Sequence, residues 1–334
     1  MEATASSQSA NSSPQLPSPN SWSGRRHLID TKDLTLAEVG YLINQAKKYK
    51  KDLLARTPPH SALSGRILAN LFYENSTRTR LSFELAGRHL GMTVLNLDMA
   101  VSSAKKGESP EDTARTLGAL GINAIVQRHS GSGSAQRLAD AVSDQISVVN
   151  AGDGINAHPT QALLDLFTML EYKSDLKGIK IAIIGDIKHS RVARSNLWLL
   201  QKLGVHVHFA GPASLMPDDL ASWGAQAHES VDEAIKGADF VMALRIQLER
   251  QETGLIPSME EYARLYRIDH KRLAAANPGV RVMHPGPINR GVEITDAIAD
   301  DPELSLIERQ VANGVPVRMS VLSALCKLPQ KNEL

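Results

Sequence analysis

Ser76-Thr77-Arg78-Thr79-Arg80 packs three hydroxyls and two guanidinium groups into five consecutive residues. The string stands where an apolar run, Ile67 to Phe72, gives way to a helical pattern from about Thr79. A helix start offers free backbone N–H groups and the positive end of the helix dipole, and arginine adds forked donors that fit phosphate. The plainer reading is a capped helix with two surface arginines, which leaves most of these donors idle. The segment reads as an anion site. It is not a Walker-type loop, because the spaced glycines and the Gly-Lys-Ser/Thr ending are missing.

Four further strings carry groups of the same kind. Ser102-Ser103-Ala104-Lys105-Lys106-Gly107-Glu108 is a polar loop before a helix. Alone it is a solvated turn; beside an anion site it is a cationic lid. Arg128-His129 follows a strand ending at Val126, at a carboxyl end where α/β sheets bind ligands. His158 and Gln161 share the first turn of a helix opened by Pro159. A neutral imidazole and an amide there can hold a carbonyl oxygen and an amide group, although a lone histidine at a helix start is commonly a cap or a packed side chain. In the second half, Arg191, Arg194, Arg245 and Arg250 supply cations near strand ends and Gln247 an amide. The loop from His284 to Gly291 holds Pro285, Gly286 and Pro287, whose fixed and permissive backbones can present carbonyls to a ligand.

These groups need a scaffold, and the hydrophobic pattern supplies one. A helical spacing covers Leu34 to Leu54. Short apolar runs read as strands at Ile67–Phe72, Val94–Leu97, Ala124–Val126 and Ile146–Val149, with helices at Thr79–Leu90, Pro110–Leu120 and Ser134–Val142 between them. After the helix Pro159–Leu170 a second series gives strands at Ile179–Ile184, Val205–Phe209, Phe240–Ala243 and Val280–Met283, with helices at Ser190–Leu203 and Val231–Lys236. Two helices, Pro302–Ala312 and Val317–Leu328, close the chain. Strand and helix in alternation predict an α/β fold: two domains, each a parallel sheet flanked by helices, with the helix near 159–172 as the bridge. The expected division is a disordered segment 1–25, one domain over 26–158 plus 309–334, and a second over 159–308.

Composition narrows the function. The formal net charge of +1 argues against general attraction to nucleic acid or membrane, so cationic chemistry must be local. One cysteine, Cys326, excludes an internal disulfide framework and a thiolate-rich metal cluster, and suits a reducing compartment. No apolar stretch approaches the roughly 18 residues of a membrane span. Met1 to about Ser23, rich in Ser, Pro, Asn and Gln, reads as a segment with too little apolar surface to fold. Gly185-Asp186 ends a strand without a spaced glycine fingerprint, so a nicotinamide site finds little support.

Taken together, Ser76-Thr77-Arg78-Thr79-Arg80 and His158-Pro159-Thr160-Gln161, in that order, make the chain resemble the aspartate/ornithine carbamoyltransferase family from about His27 to Leu328. Ser102 to Glu108, Leu244-Arg245-Ile246-Gln247 and His284-Pro285-Gly286-Pro287 look like its aspartate branch; the ornithine branch usually carries a cysteine after the last strand, where His284-Pro285 stands here. The resemblance implies that Ser76, Thr77, Arg78 and Thr79 bind the phosphate of carbamoyl phosphate. It implies that Arg78, Thr79 and His158 approach its carbonyl oxygen and that Arg128 adds charge nearby. Gln161 and the backbone carbonyls of Pro285 and Gly286 would hold the carbamoyl amide, although some members carry Leu where Gly286 stands. Arg191, Arg245 and Gln247 would hold the carboxylates of L-aspartate. Ser102 and Lys106, more than Lys105, would reach into a neighbouring subunit's site, which makes a homotrimer the minimal active assembly. The resemblance leaves open a higher assembly with regulatory or dihydroorotase-like chains. It implies a cytoplasmic enzyme without cofactor or metal, and with no nucleic-acid or membrane partner.

Overall fold

The computed structural model describes residues 16–17, 21–98, 109–246 and 258–326. Helix α1 (Leu36–Leu54) opens the ordered alternation; Thr35 and Glu38 close a reciprocal capping box at its start, and Val39, Leu42, Ile43 and Ala46 bury its apolar stripe. There follow β1 (Ile67–Phe72), α2 (Thr77–His89), β2 (Thr93–Asp98), α3 (Pro110–Ala119), β3 (Ala124–His129), α4 (Ser134–Ala141) and β4 (Ser147–Asp153). Helix α5 (Pro159–Leu170) leads to the second series: β5 (Lys180–Ile184), α6 (Arg191–Gln201), β6 (His206–Ala210), β7 (Gln226–His228), α7 (Val231–Ile235) and β8 (Phe240–Ala243). The chain ends with α8 (Met259–Tyr266), α9 (His270–Leu273), β9 (Arg281–Met283), α10 (Asp296–Ala299) and α11 (Ile307–Cys326).

Two sheets result, in the orders β2-β1-β3-β4 and β7-β6-β5-β8-β9. Every strand pair is parallel. Strands β1, β5 and β8 are nearly all apolar and buried, as strands covered on both faces must be. Each sheet changes winding direction once: between β1 and β3 in the first, and between β5 and β8 in the second. Crevices outside the carboxyl ends at such switch points are where open α/β sheets bind ligands. Residues at or just after the carboxyl ends of β1, β3, β5 and β8 are among those singled out for their chemistry.

Helix α5 packs on both α6 and α11, and α11 returns to pack on α1 and α2. One apolar cluster runs through all of them, from Leu68 on β1 through Leu163 and Phe167 on α5 to Ile183 on β5. The closing segment differs from expectation. It forms a single helix that starts at Ile307 and runs through Pro316. Proline removes one helical hydrogen bond, but the residues from Asn313 onward are buried on nearly every side, and that packing holds the helix continuous. Pro302 to Ser305 turns instead, with the Asp301 carboxylate accepting from the N–H groups of Glu303 and Leu304. Strand β3 also outruns its expected end at Val126 and carries Gln127, Arg128 and His129. At the other end of the chain, the Trp22 ring packs at a tilt against Tyr41 and Arg25 pairs with Glu38 at 2.7 Å, so residues from Trp22 to Arg25, expected to be disordered, dock on α1. Most of the Ser/Pro-rich segment before them lies outside the described residues.

Candidate active site

The carboxyl edges of the two sheets face one cleft of about 920 Å³. Ser76, Thr77, Arg78, Thr79, Arg128, His158, Gln161, Arg191, Arg245, Pro285 and Gly286 all line it. Residues as far apart in sequence as Ser76 and Gly286 thus meet because each stands at the carboxyl end of a strand or opens a helix there. Ser102, Lys105, Lys106, Gln247 and Arg250 lie outside the described residues. Arg194 takes another part: its guanidinium donates to the Lys188 carbonyl at 3.1 Å and stacks on Trp223.

Ser76 occupies the N-cap position of α2, yet its hydroxyl makes no capping bond. The first-turn N–H groups and the Ser76, Thr77 and Thr79 side chains are therefore gathered at one helix start without a cap to neutralise them. Arg78 reaches across to the loop after β9. Gly286 has φ +66°, and a Cβ placed on it would stand 2.9 Å from the Arg78 Cζ. Glycine here serves both the left-handed backbone and the close approach of a guanidinium.

His158 is the residue before α5, and its side chain makes no capping bond either. Its N–H donates to the Ser195 hydroxyl at 2.8 Å, which ties the start of α5 to α6. The ring is 4% exposed, and Nδ1 is sealed without a partner among the described residues. Burial, then the charges of Arg128, Arg191 and Arg318, hold its pKa well below the ordinary histidine value. The imidazole is neutral. Such a ring is a hydrogen-bond donor or acceptor in the cleft rather than a cation.

The arginines are held by groups that sequence reading passed over. Glu74, two residues before Ser76, accepts from Arg191 Nη2 at 2.9 Å and lies 3.3 Å from Arg128 Nε. Arg191 Nη1 also donates to the Gly154 carbonyl at 3.2 Å. Gly152, at φ +119°, leaves the room that this guanidinium fills, since a Cβ there would stand 2.8 Å from Cζ. Asp186 and His189 form a second pair on the cleft wall, with both carboxylate oxygens 3.0 Å from Nδ1.

Behind Gln161 lies a buried polar core. Asp165 accepts from Gln161 Nε2 at 2.9 Å, from Gln310 Nε2 at 2.8 Å and from Asn196 Nδ2 at 2.8 Å. Burial raises its pKa to about 6, against the three amides and Arg318. Arg318, only 3% exposed, sits over the Phe83 ring at 5.0 Å, and burial lowers its pKa to about 10. Two of these residues left signals in the sequence: Asp165 is one helical turn beyond Gln161, and Arg318 interrupts an otherwise apolar run. Gln310 and Glu74 left none, because their partners are distant in the chain.

Two parallel sheets that turn their carboxyl edges onto one cationic cleft define a two-domain α/β protein built to hold anionic small molecules together. Residues 26–171 match the family model for the carbamoyl-P binding domain of aspartate/ornithine carbamoyltransferase, and residues 177–325 match that for its Asp/Orn binding domain. The chain belongs to the aspartate/ornithine carbamoyltransferase family. It is 51% identical to the aspartate carbamoyltransferase catalytic subunit of Acetivibrio thermocellus, over 90% of this chain and 96% of that one. It is 48% identical to the corresponding subunit of Ruminiclostridium cellulolyticum, over 92% and 98%. Among solved structures, aspartate transcarbamoylase from Trypanosoma cruzi in complex with carbamoyl phosphate and aspartate superposes with a TM-score of 0.82 at 31% identity, covering 92% of this chain and 99% of that one. Ornithine carbamoyltransferase from Pyrococcus furiosus superposes with a TM-score of 0.80 at 30% identity, covering 90% and 97%.

Proposed function

We propose that the chain is an aspartate carbamoyltransferase, which moves the carbamoyl group of carbamoyl phosphate to the amino group of L-aspartate. The products are N-carbamoyl-L-aspartate and phosphate, an early step of pyrimidine biosynthesis. The observation that carries this reading is the division of cations within one cleft. Arg78 and the uncapped start of α2 stand on the first-sheet side, while Arg191 and Arg245 stand on the second. A phosphorylated donor and a dicarboxylic acceptor suit that division; a cationic acceptor such as ornithine does not suit the second pair.

In this reading Ser76, Thr77, Arg78 and Thr79 grip the phosphate, with Arg128 beside it. The uncharged amine of aspartate attacks the carbamoyl carbon, and the new C–N bond leaves a tetrahedral oxyanion. Arg78, Thr79 and the neutral His158 donate to that oxygen. The C–O bond to phosphate then breaks, and the departing phosphate takes the proton from the amine. Gln161 and the carbonyls of Pro285 and Gly286 hold the carbamoyl NH₂. Arg191, Arg245 and Gln247 hold the aspartate carboxylates. No side-chain nucleophile enters; positioning and fixed charge supply the acceleration.

The reading assigns residues 26–158 with 309–334 to the donor side and 159–308 to the acceptor side. It includes a homotrimer in which a neighbour lends Ser102 and Lys106. Leu81 and Leu85, one turn apart on α2, are 49% and 47% exposed, and Leu95 on the edge strand β2 is 40% exposed; this apolar face suits a second subunit. The single buried cysteine suits a reducing compartment, and we place the protein in the cytoplasm on that ground. Offering the purified protein carbamoyl phosphate with either aspartate or ornithine tests the substrate: carbamoyl aspartate is expected, and citrulline would overturn the choice. Light scattering tests the trimer.

A further inference from the structure

Three amides surround Asp165, and their orientation is not arbitrary. An ionised carboxylate can only accept hydrogen bonds, so Gln161, Gln310 and Asn196 must each turn an NH₂ toward it. Asp165 and Asn196 are fully buried and Gln310 is 2% exposed, so no water competes for these contacts. With its Nε2 turned to Asp165, the Gln161 amide is fixed in orientation and presents Oε1, its acceptor, away from that contact in the cleft that the residue lines.

The same constraint runs through Gln310 to the opposite rim. Its Nε2 is turned to Asp165, so its Oε1 accepts from the His284 N–H at 2.9 Å. The His284 Nδ1 in turn accepts from the Gly286 N–H at 2.8 Å, and its Nε2 lies 3.0 Å from Glu293. In a planar trans peptide the carbonyl points opposite to the N–H. The Pro285 carbonyl therefore points away from the His284 ring. Gln161 Oε1 and the Pro285 carbonyl are both acceptors, and one buried anion stands behind both.

We propose that Asp165 is the positioning residue that fixes donor specificity, by turning the Gln161 amide and the Pro285–Gly286 loop so that the cleft shows acceptors to the acyl substituent of the phosphorylated donor. A carbamoyl NH₂ satisfies those acceptors, whereas the methyl of the isosteric acetyl phosphate leaves them unpaired, which is the stronger form of discrimination available to a buried site. The inference rests on the functional reading above. Arg318 is the charged side chain that faces Asp165, and with the three amides it favours the ionised carboxyl near neutral pH.

The test compares kcat/KM for carbamoyl phosphate and acetyl phosphate, each with L-aspartate, in the unaltered full chain and in Asp165→Asn. With acetyl phosphate the amine forms a C–N bond to the acetyl carbon, the acetyl C–O bond to phosphate breaks, the departing phosphate takes the amine proton, and the product is N-acetyl-aspartate. An asparagine can present either an oxygen or an NH₂, so Gln161 is freed to turn. The carbamoyl-to-acetyl ratio is expected to fall about tenfold or more, mostly through loss on the carbamoyl side. A ratio that stays constant, whether both activities persist or both collapse together, overturns the role of Asp165. Should Asp165→Asn fail to fold, the unaltered protein decides: its ratio is expected to fall between about pH 8 and about pH 5.5 as Asp165 gains a proton, because the phosphate titration common to both donors cancels. A constant ratio across that range overturns the proposal. An unaltered chain inert toward carbamoyl phosphate and aspartate would instead contradict the functional reading itself.

Discussion

Arg191 Nη2 lies 2.9 Å from Glu74 Oε2, and this ion pair joins the loop after β1 to the first turn of α6. Its side chains are 5% and 17% exposed, so water screens it little. Glu74 also lies 3.3 Å from Arg128. One carboxylate therefore sets two guanidinium groups on opposite sides of the cleft, and the position of the second sheet's cation is coupled to the first sheet's loop.

Glu74→Gln should separate those roles. The charge goes while the shape stays, leaving Arg191 buried without its counter-ion. Stability should fall by about 1–3 kcal/mol, and the KM for aspartate should rise by about tenfold as Arg191 loses its fixed orientation. Thermal unfolding and steady-state kinetics read the two effects. Unchanged aspartate kinetics would leave the pair a purely structural tie.

Arg78→Ala isolates the donor side. Arg78 is exposed to the cleft and packs on Gly286. Its loss should leave unfolding within about 0.5 kcal/mol of the parent while kcat falls by about 10²- to 10³-fold, the cost of removing one oxyanion donor. A variant that keeps full kcat would place the oxyanion elsewhere.

Arg245→Ala isolates the acceptor side. Arg245 follows β8 at the second switch point and lines the cleft. The KM for aspartate should rise by about tenfold or more, with a smaller change in kcat and little change in carbamoyl phosphate binding. Equal losses for both substrates would point to a general disturbance of the cleft.

Acid should weaken the fold through its histidines. His27 and His208 have pKa values lowered to about 4, first by burial, and His158 is held well below its ordinary value for the same leading reason. Below about pH 6.5 the unfolded chain takes up protons at these sites that the folded chain refuses. Their contribution is therefore present above that pH and is lost as pH falls toward the folded values. Asp165, raised to about 6, acts in the opposite direction: its contribution is present below its ordinary value near 3.8 and lost as pH rises through about 6. Three histidines outweigh one carboxyl, so Tm should drop between about pH 7 and about pH 5. The decline should be shallower in His158→Gln. The neutral His158 should also leave no ionisation of its own in the pH profile of kcat near 6.5.

Much of this fold was readable from the chain, for a definite reason. Parallel strands buried on both faces appear as largely apolar runs, and Ile67–Phe72 and Phe240–Ala243 have the bounds their composition gives. Pro159 marked the start of α5 because proline suits a first helical turn. Where packing outweighs local preference the sequence misled: Pro316 reads as a break but lies inside α11. Polar Gln127 to His129 read as the end of a strand, although their backbone stays paired to β1 and β4. The same division holds in the cleft. Residues in dense strings, Ser76 to Thr79 and His158 to Gln161, announced themselves. Glu74 pairs with Arg191, Gln310 with Asp165 and Arg318 with Asp165, partners distant in the chain that only the fold brings together.

The central claim is that the start of α2 holds a phosphate while Arg191 and Arg245 hold a dicarboxylic acid across the same cleft. A crystal structure of the protein with a phosphonate joined covalently to L-aspartate measures this directly. The account predicts the phosphonate within hydrogen-bond distance of Ser76, Thr77, Arg78 and Thr79, and the two carboxylates on Arg191 and Arg245. A mimic bound with its carboxylates at the α2 start, or bound outside the cleft, would contradict it.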